Sequence, residues 1–451
     1  MPHLAARQIN DSAALPEAIG KYPVLRRLGE GATSEVFLCR DEFNRRDVAI
    51  KRVRCPLGAD ALDSRYSERF FAAEAALVGR LQHPNVVHIF DAVADPTEPY
   101  LVMEHVAGST LRPYCRPDQL LSLELIVEIG FKCAMALGYV SRQGLIHRDV
   151  KPANILTVHD ASGAITDVKI SDFGSAFNLR SEATQVFRVG SLSYMSPEQL
   201  DGSTLDARAD MYSLGAVLYH LLTARPPFEA SEQSAMMNQI YNAKPIAPSM
   251  LRSGVTPAFD EVVLRALAKT PDERYATWDD FAQALAGLIS NRQVPRGQWQ
   301  GVLDSERFNL LRKLEFFASF GDVALWEVVH RARWQRFDPG HALYRRGEEG
   351  RTFHIVAAGE VEVIRNGQIV ASLMGGHSVG EMAYLAPSEE LRRHSTDVIV
   401  KAPTTTVSFT PETLSQVSPD CRHLFDAAFI KVLVRRLHAA HEALAHPRRI
   451  L

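Results

Sequence analysis

The sequence predicts an α+β protein in two parts: a small β lobe with a larger helical lobe, and then a β-roll with flanking helices. Alternating apolar residues from about Tyr22 to Val53 predict a short antiparallel sheet, and helical spacing of apolar residues dominates after it. Toward the C-terminus, glycines separate short strand-like segments. At about 150 residues per domain, a chain of 451 residues is long enough for more than one core.

Four segments after the sheet carry apolar residues at the three- and four-residue spacing of amphipathic helices. These segments are Ser67 to Leu81, Leu120 to Ser141, Ala209 to Leu222 and Asp260 to Ala268. Residues 290–300 break the periodicity and contain Pro and Gly, which indicates a linker. We therefore predict an N-terminal tail at 1–20, a first domain at 21–290, a linker at 291–303 and a second domain at 304–445.

The second domain is predicted to start with a helical stretch, Ser305 to Arg333, and to continue as short strands. Gly359 and the pair Asn366-Gly367 separate these strands, and Asn-Gly is a strong hairpin signal. The predicted strands are Phe353 to Val356, Glu360 to Val363 and Gln368 to Val370. A last helix is predicted from Leu424 to Leu444, with apolar residues at core-facing intervals: Phe425, Phe429, Val432, Leu433 and Leu437.

Composition narrows the class of protein. Lys and Arg number 50 and Asp and Glu number 53, a net charge of −3, so we expect no nucleic-acid partner. The five cysteines form no close pair of the kind that a zinc site uses, which predicts a reduced, cytoplasmic setting. We expect no membrane insertion, because the sequence has no run of about 18 apolar residues.

Residues 29–36, Gly-Glu-Gly-Ala-Thr-Ser-Glu-Val, form a glycine-rich turn between two predicted strands. Because bulky side chains are missing there, backbone amides can approach phosphate oxygens. The next strand ends at Lys51, fifteen residues past Val36, where a lysine can grip the α and β phosphates of a nucleotide. Glu74, on the following predicted helix, can pair with Lys51 and hold it in place.

Residues 147–154 read His-Arg-Asp-Val-Lys-Pro-Ala-Asn, and an Asp-Phe-Gly triplet begins at Asp172, 18 residues after Asn154. Asn154 and Asp172 offer oxygen ligands from different segments, which suits a hard divalent cation that bridges phosphates. Asp149 can accept the proton of an attacking hydroxyl group. Together with the glycine-rich turn, Lys51 and Glu74, these motifs supply the groups that phosphoryl transfer from a nucleotide uses, and five such elements in one chain make coincidence unlikely.

On these motifs, the sequence resembles the protein kinase superfamily over about residues 22–290, and within it the bacterial eukaryotic-like serine/threonine kinases. Glu198 in Ser-Pro-Glu stands where the family closes its activation segment, and Arg274 is similar to the arginine that pairs with that glutamate. Asp210 looks like the family's buried aspartate, and Lys151 like the lysine that neutralises the γ phosphate in the serine/threonine branch. The resemblance implies the bilobal protein kinase fold, with ATP and Mg²⁺ or Mn²⁺ as cofactors.

The resemblance also implies roles for individual residues. Met103 would be the gatekeeper of the hinge, the backbone at Glu104 and Val106 would bind adenine, and Ser34 replaces the third glycine of the loop. The implied catalytic residues are Asp149, Lys151, Lys51 and Glu74, and the implied metal ligands are Asn154 and Asp172. The implied ATP contacts are Gly29, Glu30, Gly31, Ser34, Val36, Ala49, Lys51, Met103, Glu104 and Val106. Because Arg148 precedes Asp149 and can grip a phosphate on the activation loop, Thr184 is a candidate phosphosite.

The glycine-punctuated strands of the second domain resemble the cyclic nucleotide-binding domain over about residues 304–441. In that family, a Gly-Glu segment offers backbone amides to the cyclic phosphate and a carboxylate to the ribose 2′-hydroxyl. The resemblance implies these roles for Gly380 and Glu381, with a cyclic nucleotide, cyclic AMP or cyclic GMP, as effector.

The phosphate-binding cation departs from the family pattern. Positions nine and ten after Glu381, where the family has an arginine, are Glu390 and Leu391 in this chain. Arg393 follows at position twelve, and Ser395 precedes the next strand, so both are candidate ligands. Two interpretations therefore stay open: a working site with Arg393 on the phosphate, or a degenerate domain used for contacts.

The sequence predicts a serine/threonine protein kinase that transfers the γ-phosphate of ATP to protein hydroxyl groups and is regulated by its C-terminal domain. The predicted partners are protein substrates, a cyclic nucleotide and a second copy of the chain. One alternative is a kinase whose C-terminal domain is a degenerate docking or dimerisation module. Another is a pseudokinase scaffold, which is disfavoured because the catalytic and metal-binding residues named above are all present.

Overall fold

The structure is a computed structural model of the chain, and it describes residues 15–31, 34–53, 71–95, 98–173, 177–178, 189–294 and 303–445. The chain divides into two compact units, Met1–Gln298 and Trp299–Leu451. In each unit a β-sheet and helices enclose a hydrophobic core, so the fold class predicted from the sequence is confirmed.

The first unit begins with a six-stranded antiparallel sheet whose strand order is β1-β2-β3-β4-β6-β5. Its strands are β1 (Ala18–Ile19), β2 (Tyr22–Glu30), β3 (Ser34–Asp41), β4 (Arg46–Val53), β5 (Ile89–Val93) and β6 (Tyr100–Glu104). Successive side chains of a strand point to opposite faces of the sheet. One face therefore buries a core that includes Phe37, Cys39, Val48, Ile50 and Val102, and the other face is left to line a cleft.

Helices make up most of the rest of the first unit. A short helix, α1, covers residues 71–75. The others are α2 (Leu123–Arg142), α3 (Pro197–Asp201), α4 (Arg208–Thr223), α5 (Gln233–Asn242), α6 (Pro257–Ala266) and α7 (Trp278–Ser290). Four short strands complete this lobe: β7 (Leu145–Ile146), β8 (Ile155–His159), β9 (Ile165–Ile170) and β10 (Phe177–Asn178). Helix α2 is buried along most of its length, and Ser122 caps it by accepting the N–H of Leu125.

The second unit is a β-roll between helices. The strands are β11 (Arg333–Phe337), β12 (Ala342–Tyr344), β13 (Phe353–Arg365), β14 (Gln368–Met374), β15 (Ser378–Val379) and β16 (Asp397–Phe409). The helices are α8 (Asp304–Arg312), α9 (Asp322–Arg331), α10 (Glu381–Tyr384), α11 (Pro411–Ser415) and α12 (Pro419–Ala445). Strands β13 and β14 meet at the predicted hairpin, where Asn366 and Gly367 both have positive φ, 53° and 77°.

Gly359 does not end a strand, contrary to the prediction from the sequence. Strand β13 continues through it with a φ of +98° and a shift of register against β16. A Cβ atom at this position would collide with the Pro403 carbonyl and with Thr404. Glycine is therefore required here as the point of close approach in one long bent strand.

The predicted helices differ from the observed ones at several places. The stretch 305–333 is two helices, α8 and α9, and Arg333 already belongs to β11. The predicted helix at 67–81 is helical only over 71–75 among the residues that the structure describes, and a turn follows it. In α12, Phe425 and Phe429 are buried as predicted, whereas Leu433 and Leu437 are exposed. Apolar spacing predicted that a helix would form there, but not which of its turns a neighbour would cover.

None of the helices that the structure describes is both long enough and apolar enough to cross a membrane.

Candidate functional site

The cleft face of the first sheet carries several of the predicted nucleotide contacts. Val36 pairs directly with Lys51 across β3 and β4, and Ala49 pairs with Met103 across β4 and β6. Paired residues of an antiparallel sheet project on the same side, and these four lie on the side opposite the Phe37 and Ile50 core. Strand alternation thus places small and apolar side chains around one lysine.

The glycine-rich loop connects β2 and β3, which pair in antiparallel register as far as Glu30 and Glu35. Gly29 lies opposite Val36, and the N–H of Gly31 donates to the carbonyl of Ser34 at 2.7 Å. Among the described residues, no atom beyond its chain neighbours lies within 4 Å of a Cβ built on Gly29, so the backbone there is open to a ligand. The Glu30 carboxylate is paired with Arg27 at 2.7 Å at the edge of this turn.

Lys51 is held by two carboxylates from distant parts of the chain. Its Nζ lies 2.9 Å from each carboxylate oxygen of Glu74 on α1 and 2.5 Å from Oδ1 of Asp172. Glu74 is buried, whereas the Asp172 side chain is 46% exposed. This arrangement fixes the ammonium group at the cleft end of β4.

The charges of this cluster control the protonation of its members. Burial alone would lower the pKa of Lys51, but the charges of Asp172 and Glu74 raise it above its usual value. The charge of Lys51 lowers the pKa of Asp172 to about 2. Lys51 is therefore cationic and Asp172 anionic throughout the physiological pH range.

Asp149 lies at the centre of a second cluster. Its Oδ2 accepts hydrogen bonds from Lys151 Nζ at 2.6 Å and from Asn154 Nδ2 at 2.9 Å. Asn154 Nδ2 also donates to the backbone carbonyl of Asp149 at 2.8 Å. Because both bonds use the amide nitrogen of Asn154, its amide oxygen remains as the group that can bind a cation.

The side chain of Asp210, at the start of α4, anchors the loop that carries Asp149. The buried carboxylate of Asp210 accepts the N–H groups of His147 and Arg148, both at 2.7 Å. Arg148 has a φ of +66° and Asp172 a φ of +67°, a backbone region that costs energy for residues other than glycine. The two hydrogen bonds that Asp210 accepts hold the backbone of Arg148 in this strained conformation.

His147 connects the two clusters, a role that its position in the motif did not disclose. Its Nδ1 accepts the N–H of Asp149 at 3.3 Å, and its Nε2 lies 3.0 Å from the carbonyl of Ser171. The ring also packs on Phe173, with centroids 4.6 Å apart. Asp149 and Asp172 are thus positioned through one buried imidazole.

A buried ion pair fastens the start of α3, which follows the loop of residues 147–154 in the fold of the first unit. Arg274 donates to both carboxylate oxygens of Glu198, at 2.6 and 2.8 Å. Gln199, which the sequence analysis did not single out, donates from Nε2 to the carbonyl of Arg148 at 2.9 Å. The start of α3 is therefore tied both to the segment of Arg274 and to the loop of residues 147–154.

The predicted hinge comprises β6 and the two residues after it. The Glu104 carboxylate lies 3.0 Å from Nζ of Lys169 on β9 and forms an ion pair with it. Because Lys169 lies on β9, this pair links the hinge to the strand that leads to Asp172. Lys169 also donates to the carbonyl of Pro84 at 2.6 Å. Met103 is half-buried beside Ala49, and Val106 follows in the extended segment after β6.

The donor set fits a divalent metal ion. Asp172 offers an ionised carboxylate, and Asn154 offers an amide oxygen that its own hydrogen bonds do not use. Hard cations such as Mg²⁺ prefer oxygen ligands of these two kinds. Thr184, the candidate phosphosite, lies outside the described residues.

In the second unit, Glu381 begins α10 and is only 1% exposed. Gly380 precedes it with a φ of +83°, where a Cβ would collide with the ring of Tyr344. Arg436 of α12 bonds to Oε1 of Glu381 and, through Nη2, to the carbonyl of Ser378 at 2.7 Å. Burial raises the pKa of Glu381, and the charge of Arg436 opposes this shift.

The loop after α10 presents its residues differently from the sequence expectation. Arg393 is exposed, and its Nη1 donates to the carbonyl of Gly347 at 2.8 Å, while Ser395 is also exposed. His394 is the buried residue of this loop, and its ring stacks on Tyr344 with centroids 4.0 Å apart. Burial lowers the pKa of His394, so its imidazole is neutral near pH 7.

Arg436 and His394 are functional candidates that sequence reasoning missed. Arg436 is 55 residues from Glu381, and no motif relates the two positions. The family pattern has an arginine in this region, so the motif gives no signal for His394. The alternation of the following strand, β16, is a signal that could identify His394. Steps of two residues back from the buried positions at the start of β16 lead to His394, whose side chain turns inward.

Comparison with known families supports this description of both units. The sequence profile described as protein kinase domain matches residues 22–286, which is more than half of the chain. The profile described as cyclic nucleotide-binding domain matches residues 334–418.

Individual relatives match the first unit. The serine/threonine-protein kinase PknB of Mycolicibacterium smegmatis is 39% identical over 300 residues, which cover 64% of this chain and 46% of the relative. A probable serine/threonine-protein kinase of Streptomyces coelicolor, SCO3848, is 36% identical over 283 residues, 61% of this chain and 41% of the relative. PknB of Mycobacterium tuberculosis is 37% identical over 299 residues, 64% of this chain and 46% of the relative. The chain thus spans about half the length of the curated relatives it matches.

Proposed function

This chain belongs to the protein kinase family, and from that membership we propose that it transfers the γ-phosphate of ATP to serine or threonine hydroxyl groups of protein substrates. The observation that carries the proposal is the position of Lys51, which contacts Glu74 and Asp172 together. In a protein kinase, this lysine and its glutamate must be in place for transfer. Both are engaged in this structure.

The side chains of the catalytic loop have separate tasks in the proposed reaction. Asp149 accepts the proton of the attacking hydroxyl group, and Asn154 and Lys151 orient its carboxylate through their bonds to Oδ2. Lys151 also carries a positive charge to where the γ phosphate would lie. Asn154 and Asp172 would hold Mg²⁺ or Mn²⁺, which when bound neutralises phosphate charge.

The hinge and loop residues provide binding in this proposal. The backbone at Glu104 and Val106 would receive adenine beside Met103, Ala49 and Val36. Gly29, Glu30, Gly31 and Ser34 would lie over the phosphates.

Phosphate transfer from labelled ATP tests the proposal. The full chain is incubated with Mg²⁺, or with Mn²⁺, and with a generic basic protein as acceptor. We expect Asp172→Ala to lower the rate about a thousandfold, because the metal-held phosphate loses interactions worth several kcal/mol. Asp47→Ala is the matched control, since Asp47 is a comparably exposed carboxylate paired with Arg40.

The outcomes separate the alternatives. Transfer that is lost in Asp172→Ala and kept in Asp47→Ala supports the kinase. ATP binding without any transfer by the unaltered chain would favour the pseudokinase scaffold instead. Equal transfer by the Asp172→Ala variant would trace the activity to a contaminant.

A second proposal concerns the C-terminal unit, which we infer binds a cyclic nucleotide and thereby regulates the kinase unit. What supports it is the buried carboxylate of Glu381, whose partner Arg436 lies on α12. A ribose hydroxyl that bonds to Glu381 competes with Arg436 for the carboxylate. Ligand binding would therefore weaken the contact that joins α12 to α10 at Arg436. The effect on the kinase depends on the ligand binding one state of the chain better than another.

Thermal unfolding with cyclic AMP and with cyclic GMP tests this second proposal. We expect one of them to raise the Tm of the full chain, and Glu381→Gln to abolish the rise because it removes the charged acceptor. Glu412→Gln, at an exposed position of α11, should keep it. A Tm that neither nucleotide changes would make the unit a degenerate docking or dimerisation module.

The phosphate contact has its own test within the same assay. Arg393→Ala should reduce the rise in Tm if Arg393 swings from Gly347 to the cyclic phosphate, with Ser395 and the Gly380 amide as further donors. His394→Ala should reduce it if the inward-facing imidazole makes that contact instead.

A further inference from the structure

A cluster of charged side chains lies where β2, β3 and β4 border the glycine-rich loop. Glu35 of β3 is its centre: Oε1 lies 2.6 Å from Nη2 of Arg27 on β2, and Oε2 lies 2.8 Å from Nη2 of Arg52 on β4. The same Arg27 nitrogen lies 2.7 Å from Oε2 of Glu30. Since β3 is the middle strand of the three, one carboxylate joins it to the strand on each side.

This cluster is shielded from water more than a surface ion pair is. Glu35 is only 8% exposed, and the guanidinium of Arg52 lies over the ring of Phe37, 5.3 Å from its centroid. The pair of Arg40 and Asp47, at the other end of the same two strands, is the exposed counterpart. Charged hydrogen bonds contribute more when they are shielded and fully paired than when they are exposed.

The cluster lies on the face of the sheet away from the predicted nucleotide contacts. Glu35 pairs with Arg52 across β3 and β4, and the next pair is Val36 with Lys51. Because successive residues of a strand point to opposite faces, Glu35 and Arg52 are on the side of Phe37, and Lys51 is on the cleft side. Glu35 and Arg52 therefore face away from a phosphate that Lys51 would hold.

The glycines of the loop make its ordering costly. Gly29 lies opposite Val36, and the N–H of Gly31 donates to the carbonyl of Ser34. A glycine backbone loses more conformational entropy than other residues when it becomes fixed over a ligand. If the strands on both sides of the loop are already held, less backbone has to be ordered when the phosphates bind.

We propose that Glu35 is a positioning residue for the phosphates of ATP, because it holds the strands on both sides of the glycine-rich loop against β4. Through Arg27 the carboxylate holds β2, and through Arg52 it holds β4, the strand that carries Lys51. The backbone amides of the loop are thereby set in advance at one distance from Lys51. This inference rests on the proposed kinase function and adds to it a residue that does not touch the nucleotide.

The sign of the effect separates this role from simple electrostatics. ATP is a polyanion, so removal of a nearby carboxylate would by charge alone strengthen its binding. If Glu35 holds the loop, Glu35→Gln weakens the binding instead, because the amide cannot keep the charged bonds to both arginines.

Calorimetric titration of the full chain with Mg²⁺ present tests the proposal, with a non-hydrolysable ATP analogue and adenosine as the two ligands. We expect Glu35→Gln to raise the Kd for the analogue about fivefold or more, and to leave that for adenosine within about twofold, since adenosine has no phosphates. Asp47→Asn is the matched control, because it removes a carboxylate from the exposed pair with Arg40 on the same strands. It should change neither Kd.

Amide hydrogen exchange of the free chain gives a readout without any ligand. Glu35→Gln should speed exchange at Gly31, whose N–H bonds to the carbonyl of Ser34, because the loop then opens more often. Exchange at Ile50, in the core of the same sheet, should stay as it is in the unaltered chain.

Three results would overturn the proposal. Analogue binding that is unchanged or tighter in Glu35→Gln would mean that the loop does not depend on this carboxylate. An equal loss of affinity for the analogue and for adenosine would make Glu35 a general stabiliser of the lobe, with the proposed kinase function left standing. An unaltered chain that binds neither ligand would contradict the proposed function and this inference together.

Discussion

At the scale of single residues, Arg274 shows how a buried charge is made tolerable. Its guanidinium is almost fully buried, yet it donates to both oxygens of Glu198 and to the carbonyls of Ala268, Arg208 and Lys269. A buried ion costs free energy unless its hydrogen-bonding groups are satisfied, and here five bonds satisfy it.

We expect Arg274→Met to lower the free energy of unfolding of the first unit by about 3–5 kcal/mol, because it leaves the Glu198 carboxylate unpaired. Arg40→Met, which breaks the exposed pair with Asp47, should cost less than about 1 kcal/mol. Urea denaturation of both variants measures the two costs. Equal costs would contradict the role assigned to Arg274.

At the scale of elements, the long strand β13 depends on a single residue. Gly359 lets the strand bend where Thr404 and Pro403 of β16 approach, while Gly367 in the hairpin has open space around it. Both glycines have positive φ, 98° and 77°, so the two positions differ in crowding rather than in backbone conformation.

Gly359→Ala is therefore predicted to cost about 2–5 kcal/mol, from the positive φ and the collision together. Gly367→Ala should cost only about 1–2 kcal/mol, from the backbone alone. Thermal unfolding of the two variants compares them directly. A Gly359→Ala variant as stable as Gly367→Ala would contradict the predicted collision, because β16 would then accommodate the added methyl group at no cost.

A second prediction at this scale concerns His354 of β13. Burial lowers the pKa of His354 from 6.5 to about 4, with smaller contributions from His394 and Arg333, and its Nδ1 lies 2.9 Å from Thr406 Oγ1. Because the unfolded chain then binds more protons between those two pH values, the stability of the second unit falls as the pH drops from 6.5 to 4. Above pH 6.5 this contribution is constant.

Denaturation midpoints across this pH range check the sign. His354→Gln should make the dependence shallower, because glutamine cannot take up the proton. His394, whose pKa is also lowered by burial, would account for part of the remaining slope. An unchanged slope in His354→Gln would exclude His354 as its source.

At the scale of the whole molecule, two units with separate cores share one chain. If the C-terminal unit regulates the kinase unit, the two binding sites share a coupling free energy, and coupling of that kind is reciprocal. A cyclic nucleotide that changes the affinity for ATP by some factor must have its own affinity changed by ATP by the same factor.

Calorimetric titration can measure both factors. We expect cyclic nucleotide to bind the full chain with a different Kd when a non-hydrolysable ATP analogue is present, and the analogue to show the same ratio in the reverse experiment. The variant Lys51→Met, which breaks the pair with Glu74 and removes the proposed phosphate contact, should weaken the analogue and so remove the effect. A Kd for cyclic nucleotide that ignores the analogue would separate the two units functionally.

The sequence by itself predicted the residues that the proposed chemistry of the kinase unit uses. Each motif there is short, and local geometry sets its spacing: β4 carries Lys51, and a loop of a few residues carries Asp149, Lys151 and Asn154. Local patterns also predicted the sheet, the main helices and the Asn366-Gly367 hairpin. Such features depend on neighbours in the chain, which a sequence shows directly.

Tertiary structure alone decided the contacts between distant segments. Arg436 reaches Glu381 across 55 residues, and His394 rather than Arg393 turns inward. The same is true of α12, where spacing predicted one apolar face and packing produced two, one covered by the roll and one exposed. The physical reason is that burial depends on which surface a fold brings alongside, and periodicity specifies only that an apolar face exists.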